Sequence, residues 1–290
     1  MRKYKGEFIL LLTAIIWGGG FIATDVSLGS MTPLQVMTFR FLIATIVLSL
    51  IFINKLKKIN KSILKKGILV GFFLFVGFVF QTVGLKYTTV SNNAFLSAIA
   101  VIFVPLIGLL FKKKIDRYGI IGTALTVIGI GVLTIDGSFA SINIGDILTI
   151  IGSIFYAMQI ILIDSFAKEE DVVVLTIIEI AACFVFSLIV MTIRGDLYFD
   201  PTIKGVGGVV YLGLFSTAIG LFLQVLGQKT TTETRAAIIM VTESVFGTIF
   251  AIIFLNQLLT IRVIIACVII FIAIIISEVK PLAKNVKRKI

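Results

Sequence analysis

The chain has 290 residues, of which 59% are hydrophobic and 14% charged, with a net charge of +11 and a mean hydropathy of +1.15. Soluble domains are about half apolar and a quarter charged, so this composition excludes an ordinary soluble surface and points to an integral membrane protein. No histidine is present, which removes imidazole acid–base catalysis and the commonest metal ligand.

Apolar runs between charged or Gly/Pro-containing breaks predict ten helices, each near the roughly 20 residues that cross a bilayer core. In chain order they cover 7–27, 33–53, 65–86, 92–111, 117–135, 146–164, 172–193, 205–226, 235–255 and 260–279. The first run is too long for a cleavable signal peptide and is read as a span. Ten such spans use most of the chain and leave short loops, with no room for a soluble catalytic domain. Cys183 and Cys267 lie inside apolar runs and read as small buried residues, not as a disulfide or a CxxC site.

The basic residues fall unevenly between alternate loops. With the N-terminus in the cytoplasm, 21 of the 26 Lys and Arg lie on the cytoplasmic side, from Arg2 through Lys55–Lys66, Lys112–Arg117, Lys168, Lys229 and Arg235 to the tail. Only Lys86, Arg194, Lys204 and Arg262 fall on the other side, and Arg40 falls inside a span. This is the positive-inside pattern of a multi-pass cell-membrane protein with both termini cytoplasmic. The basic excess then reflects topology and attraction to anionic lipids, not nucleic-acid binding.

The chain also repeats itself. An offset of 139 residues aligns Gly6-Glu7 with Gly145-Asp146, Trp17 with Tyr156, Asp25 with Asp164 and Arg40 with Glu179. An offset of 143 aligns Gln81, Gly84, Lys86, Thr88, Thr89 and Ala94 with Gln224, Gly227, Lys229, Thr231, Thr232 and Ala237. Two five-helix halves are predicted, 1–137 and 143–290. Five is odd, so the second half enters the membrane from the opposite side. The predicted fold is all-α: ten transmembrane helices as two inverted five-helix repeats, the architecture of a secondary transporter with a midplane site.

The block GLKYTTVSNNAFLSAIAVIFVPLIGLLF (84–111) and its second copy GQKTTTETRAAIIMVTESVFGTIFAIIFLNQLLT (227–260) resemble the repeat signature of the EamA group of the drug/metabolite transporter superfamily. IWGGGF (16–21) and FRF (39–41) support the resemblance, which covers nearly the whole chain in two copies. It implies a carrier of amino acids, other metabolites or toxic compounds, with export the common direction and an acidic residue usual at the position of Glu243. The sequence departs from the pattern in Lys112-Lys113-Lys114 after the fourth helix, Asn256-Gln257 after the ninth, and Ser244 in place of a proline.

Ionisable residues inside spans are costly and mark candidate functional positions. Arg40 offers planar donors for a substrate carboxylate; the alternative is a structural ion pair with Glu179, Asp25 or backbone carbonyls. Glu179 and Glu243 suit a substrate ammonium or proton coupling; the alternative is an interhelical hydrogen bond. Asp25 and Asp164 lie near helix ends. Trp17, beside three glycines, reads as a cavity wall or a close-packing site, with Tyr156 its repeat mate. Phe95 and Phe103 are candidates to extend an apolar wall. Gln81 and Gln224 occupy matching positions, with interhelical hydrogen bonding as the default role, and Gln159 is a further polar group within a span. Ser91, Asn92 and Asn93 open the fourth helix, Ser91 as a possible cap; Thr234 and Arg235 open the ninth; Pro105 reads as a hinge. The candidate substrate-binding set is Arg40, Glu179, Glu243, Trp17, Tyr156, Gln81 and Gln224, with no metal and no cofactor.

No GxxxxGK[ST] loop provides for ATP drive within the chain. A membrane-embedded enzyme is disfavoured without His, a GxSxG elbow or a metal-spaced cluster, and a channel or lipid scramblase is the third class. The expected activity is secondary or facilitative export of small metabolites, foremost amino acids. Efflux of lipophilic cations or metabolite uptake is the alternative. Expected partners are the substrate, membrane lipids and protons as a coupling ion, in a monomer or weak dimer.

Overall fold

The computed structural model describes residues 5–111, 117–134, 143–255 and 260–278. Lys112–Lys114, Asn256-Gln257, Arg2, Lys3 and the basic tail lie outside the described residues. Those described form helices and short connections, without a strand.

The helices are α1 (Lys5–Leu28), α2 (Pro33–Ile51), a 3₁₀ helix (Ile53–Lys58), α3 (Lys61–Leu85), α4 (Val90–Ser97), α5 (Ala100–Leu110) and α6 (Arg117–Thr134). They continue as α7 (Ile144–Phe166), α8 (Val172–Arg194), α9 (Ile203–Tyr211), a π-helical stretch (Leu212–Ile219), α10 (Gly220–Gln228), α11 (Glu233–Met240), α12 (Thr242–Leu255) and α13 (Ile261–Glu278). Among the described residues, each predicted segment overlaps one or more helices. Eight are long and apolar enough to cross a membrane, and the two others carry shorter apolar stretches, Arg117–Val132 and Ile264–Ile276. Those two belong to α6 and α13, which pack on each other.

Local chemistry sets the helix starts. Thr32 and Gln35 form a reciprocal capping box ahead of α2, with Pro33 in the first turn, and Asn143 and Asp146 do the same for α7. Asn60, Thr89, Asp171 and Thr202 cap α3, α4, α8 and α9. The cap of α4 is therefore Thr89, whose Oγ1 accepts from Asn92 N at 3.1 Å, and Ser91 lies inside the first turn. Helix α8 stops at Gly195, whose φ of 71° is the left-handed conformation that a glycine adopts at least cost.

Large apolar side chains such as Leu50, Leu110, Ile193 and Ile203 are exposed on the outer helix faces. In water such a surface would aggregate; in hydrocarbon it is solvated. Without a hydrophobic force between helices in lipid, small residues let backbones approach and dispersion holds them. A Cβ added to Gly6 in α1 would lie 2.8 Å from Gly227 O in α10, and one added to Gly84 in α3 would lie 2.8 Å from Gly145 O in α7. These two crossings join positions related by the offsets of 139 and 143. The wider packing follows the same exchange: α3 lies on α7 as α10 lies on α1, α1 on α12 as α7 on α4 and α5, and α2 lies on α8.

Three spans are not continuous α-helix, which periodicity alone did not anticipate. The span 90–110 breaks at Ala98 and Ile99, and the span 233–254 breaks at Val241, 143 residues after Ala98. Each break is one tight turn: Val101 N bonds Ala98 O at 3.1 Å, and Ser244 N bonds Val241 O at 3.0 Å. Pro105 lies inside α5, downstream of the first break, and its counterpart is Thr248, so proline is not the shared cause. In the second break hydroxyls add bonds to the carbonyls of the turn: Thr242 Oγ1 donates to Ile239 O and Ser244 Oγ to Val241 O, each at 2.7 Å.

Candidate functional site

Within the bundle lies a cavity of about 90 Å³, room for roughly six to nine waters at 10–15 Å³ each. Both helix breaks border it, through Ser97 and Ala98 on one side and Met240 and Val241 on the other. Trp17, Arg40, Gln81, Tyr156, Gln224 and Glu243 line it. Glu179 does not: it lies fully buried behind Gln159, which does.

Arg40 projects from the middle of α2 and is only 3% exposed. Its Nε donates to Thr217 Oγ1 at 2.9 Å and its Nη2 to Ser216 Oγ at 3.1 Å, while the guanidinium lies 4.4 Å from the centre of the Phe78 ring. The π-helical stretch carries both hydroxyls; such bulges interrupt regular α-helical bonding and occur often at functional sites. No carboxylate pairs with Arg40 among the described residues. The structural ion pair with Glu179 or Asp25 is thus not formed: Asp25 is exposed, and Asp164 binds Lys168 at 2.7 Å. A buried cation is normally matched by an anion, and here hydroxyls and an aromatic face stand in.

Glu179 Oε1 accepts from Gln159 Nε2 at 2.8 Å, and Oε2 has no partner. Gln159 and Gln224 exchange amide bonds at 3.2 and 3.1 Å. Glu243, from the first turn of α12, borders the cavity and has no hydrogen bond or ion pair among the described residues. The Tyr156 hydroxyl donates to Gln81 Oε1 at 2.7 Å, and Gln81 Nε2 to Ser97 Oγ at 2.7 Å. Tyr156 also lies within electrostatic reach of both Arg40 and Glu243. Trp17 Nε1 donates to Ser216 O at 2.8 Å.

Of the other candidates, Phe95 is buried in the core and Phe103 packs against it; neither borders the cavity. Asn93 is buried, donating to Gln81 O and Thr149 Oγ1 at 3.0 and 2.8 Å, which makes it a structural bridge. Ser216, Thr217 and Phe78 escaped the sequence reading. A hydroxyl inside a helix ordinarily bonds its own backbone, and Phe78 is one of 25 phenylalanines, so no local signal singled them out.

At one end of the bundle a charged cluster ties loops together. Asp171 accepts from Lys55 at 2.9 Å and Lys58 at 3.0 Å, and Lys66 reaches Glu169 and Glu170 at 2.8 and 2.7 Å. Partial burial works to raise the Asp171 carboxyl, but the two ammonium groups outweigh it and hold it at about 2. At the opposite end the clamp is neutral: Gln35 Nε2 donates to the carbonyls of Asp196 and Tyr198.

Among the described residues, an all-helical bundle with eight membrane-length apolar helices around a small cavity defines a multi-pass integral membrane protein. The chain belongs to the EamA-like transporter family, which it matches over residues 4–135 and 143–278. It is 29% identical over 261 residues to an uncharacterized transporter of Archaeoglobus fulgidus, covering 90% of this chain and 81% of that one. It is also 29% identical over 134 residues to a protein of Salmonella typhimurium named a probable amino-acid metabolite efflux pump, covering 44% of this chain and 42% of that one. A solved crystal structure shares the fold, with a TM-score of 0.76 at 15% identity over 95% of this chain and 97% of that one. Its homologues are named transporters, and a general transport role follows.

Proposed function

We propose that this chain is an alternating-access carrier that exports small metabolites from the cytoplasm, with amino acids and related zwitterions as the class the cavity fits best. The observation that carries the substrate class is the pairing, in one cavity, of a buried guanidinium without a counter-anion and a carboxylate without a partner. Arg40 suits a substrate carboxylate through bidentate, charge-assisted bonds; Glu243 suits an ammonium. Trp17, Tyr156, Gln81 and Gln224 complete the proposed binding set, and Glu179 acts from behind Gln159.

In this reading the chain crosses the cell membrane ten times as two inverted halves, 1–137 and 143–290, with both termini cytoplasmic. The matched glycine crossings, the matched helix breaks and the exchangeable packing of the halves support the inverted repeat. The 21-to-4 split of basic residues supports the orientation. Inverted halves around a midplane site give two arrangements of similar energy, open to either face. Substrate gradients, protons or the membrane potential supply the driving force.

The test is thermal unfolding of the purified protein in detergent with amino acids, nucleosides, sugars and lipophilic cations. A ligand at 100 times its Kd that binds only the folded state adds about 2.7 kcal/mol. Stabilisation by an amino acid, followed by saturable counterflow in proteoliposomes, is expected. Stabilisation by lipophilic cations alone would overturn the zwitterion assignment in favour of drug-type efflux, the reading favoured by Glu243 beside the aromatic wall. Flux that does not saturate would overturn the carrier mechanism.

A further inference from the structure

The two halves hold equivalent side chains in two different hydrogen-bonded states. In one half, the ring of Tyr156 lies against Gly77, with Cδ1 2.8 Å from where a Cβ would stand, and its hydroxyl donates to Gln81 Oε1, one helical turn further on. In the other half, the ring of Trp17 lies against Gly220, with Cδ1 3.0 Å from the equivalent point. Offsets of 139 and 143 relate Trp17 to Tyr156, Gly220 to Gly77 and Gln224 to Gln81. Yet Trp17 does not donate to Gln224. Its indole N–H goes to Ser216 O, and Gln224 Oε1 accepts from Gln159, whose Nε2 also covers Glu179.

A carrier of inverted halves reaches its oppositely open state when the halves exchange conformations. Trp17 then takes the part that Tyr156 plays here: an indole N–H and a phenol O–H are both donors, and Gln224 Oε1 matches Gln81 Oε1 as acceptor. That exchange withdraws Gln224 from Gln159 and frees Gln159 to uncover Glu179. The position at stake is occupied by Arg40 in the first half and Glu179 in the second, a cation that does not titrate and a carboxyl that does.

We propose that Glu179 is a proton-binding site, and that Gln224 opens it to the cavity by changing partner from Gln159 to Trp17. The proposal rests on the carrier reading above and adds the coupling ion to it. No ion pair reaches Glu179 among the described residues. The groups within its reach are Gln159 from α7, which Gln224 of α10 holds in turn, and Cys183 from its own helix; Arg40 of α2, also within reach of Cys183, is bound to Ser216 and Thr217. Against α3, Glu179 O meets Gly71, and Lys66 of that helix is engaged by Glu169 and Glu170. Lys55 and Lys58 of the 3₁₀ helix are held by Asp171 two turns away. Proton exchange at Glu179 therefore depends on the cover that Gln159 and Gln224 provide.

Trp17 is the chain's single tryptophan, so intrinsic fluorescence reports on the exchange directly. Emission of the full-length protein in detergent is scanned from about pH 5 to pH 9, a range in which buried carboxyls titrate. One transition is expected in the wild type, lost in Glu179→Gln and in Gln224→Leu, and kept in Glu243→Gln. Glu179→Asp keeps a transition displaced along the pH axis, which separates loss of the proton site from misfolding. A flat wild-type profile overturns the proposal, as does a transition that survives in Glu179→Gln or Gln224→Leu. A transition lost in Glu243→Gln moves the proton to Glu243 and overturns the assignment to Glu179. Each of these outcomes leaves the ligand-stabilisation test of the proposed function intact, and failure to find a stabilising metabolite leaves the fluorescence result intact.

Discussion

Replacing Arg40 by methionine separates a structural cation from one kept for a ligand. The guanidinium is 3% exposed and held by two hydroxyls and the Phe78 face, without an anion. Taking an ion out of water costs several kcal/mol even after relaxation, and replacing buried ionic groups by apolar ones of similar volume is often neutral or stabilising by about 1–4 kcal/mol. The ligand-free Arg40→Met protein is therefore expected to be no less stable than the wild type. Its response to a carboxylate ligand moves the other way. Two charge-assisted bonds are worth about 1.5–3 kcal/mol each, so their loss weakens binding at least about 100-fold at 1.4 kcal/mol per decade. A ligand supplied at 100 times the wild-type Kd then sits near the variant's own Kd, and its stabilisation falls from about 2.7 to about 0.4 kcal/mol. Unfolding followed by tryptophan emission, with and without the amino acid, measures both quantities. A ligand-free loss above about 3 kcal/mol, the size seen when a buried pair is broken, would make Arg40 a structural clamp. An unchanged ligand effect would remove it from the site.

Two glycine substitutions test the close packing. A Cβ at Gly220 would press on Trp17, and overpacking of this kind costs about 1–3 kcal/mol, with a shifted Trp17 emission; a Cβ at Gly207 meets nothing within 4 Å, so Gly207→Ala is expected to be neutral or to stabilise by up to about 1 kcal/mol. Equal effects in thermal unfolding would refute that geometry. The Asp171 carboxyl is held at about 2, below its ordinary 3.8, so its contribution to stability is present in full above about pH 4 and is lost as pH falls through about 2. The wild-type stability profile should therefore drop across that window relative to Asp171→Asn, and parallel profiles would dismiss the Lys55–Asp171–Lys58 cluster. Tyr156→Phe keeps the ring on Gly77 and deletes only the bond to Gln81; about 0.6 kcal/mol is expected, the average for hydrogen bonds between membrane helices. A loss of several kcal/mol would show that the hydroxyl organises more of the cavity than Gln81.

Apolar run length, the basic bias of alternate loops and the repeat at 139 and 143 residues were legible in the chain because hydrophobicity and charge act residue by residue and add along the sequence. They located the long apolar helical segments, though not the 3₁₀ helix Ile53–Lys58, and six of the seven residues in the candidate binding set line the cavity. Partners were not legible. Arg40 meets Thr217 across 177 residues of chain, and nothing local to either position distinguishes a hydroxyl that bonds its own helix from one that turns to a guanidinium. The breaks at Ala98–Ile99 and Val241, and the π-helical stretch beside Arg40, likewise depend on which neighbours accept the carbonyls that a regular helix would use. Glu179 shows the division most clearly. Its position in an apolar run marked it as costly and therefore purposeful, but only the packing of α8 against α2, α3, α7 and α10 put it behind Gln159 instead of on the cavity wall. Burial of a whole segment follows from its own composition, whereas the partner of a buried polar group is chosen by every helix that surrounds it.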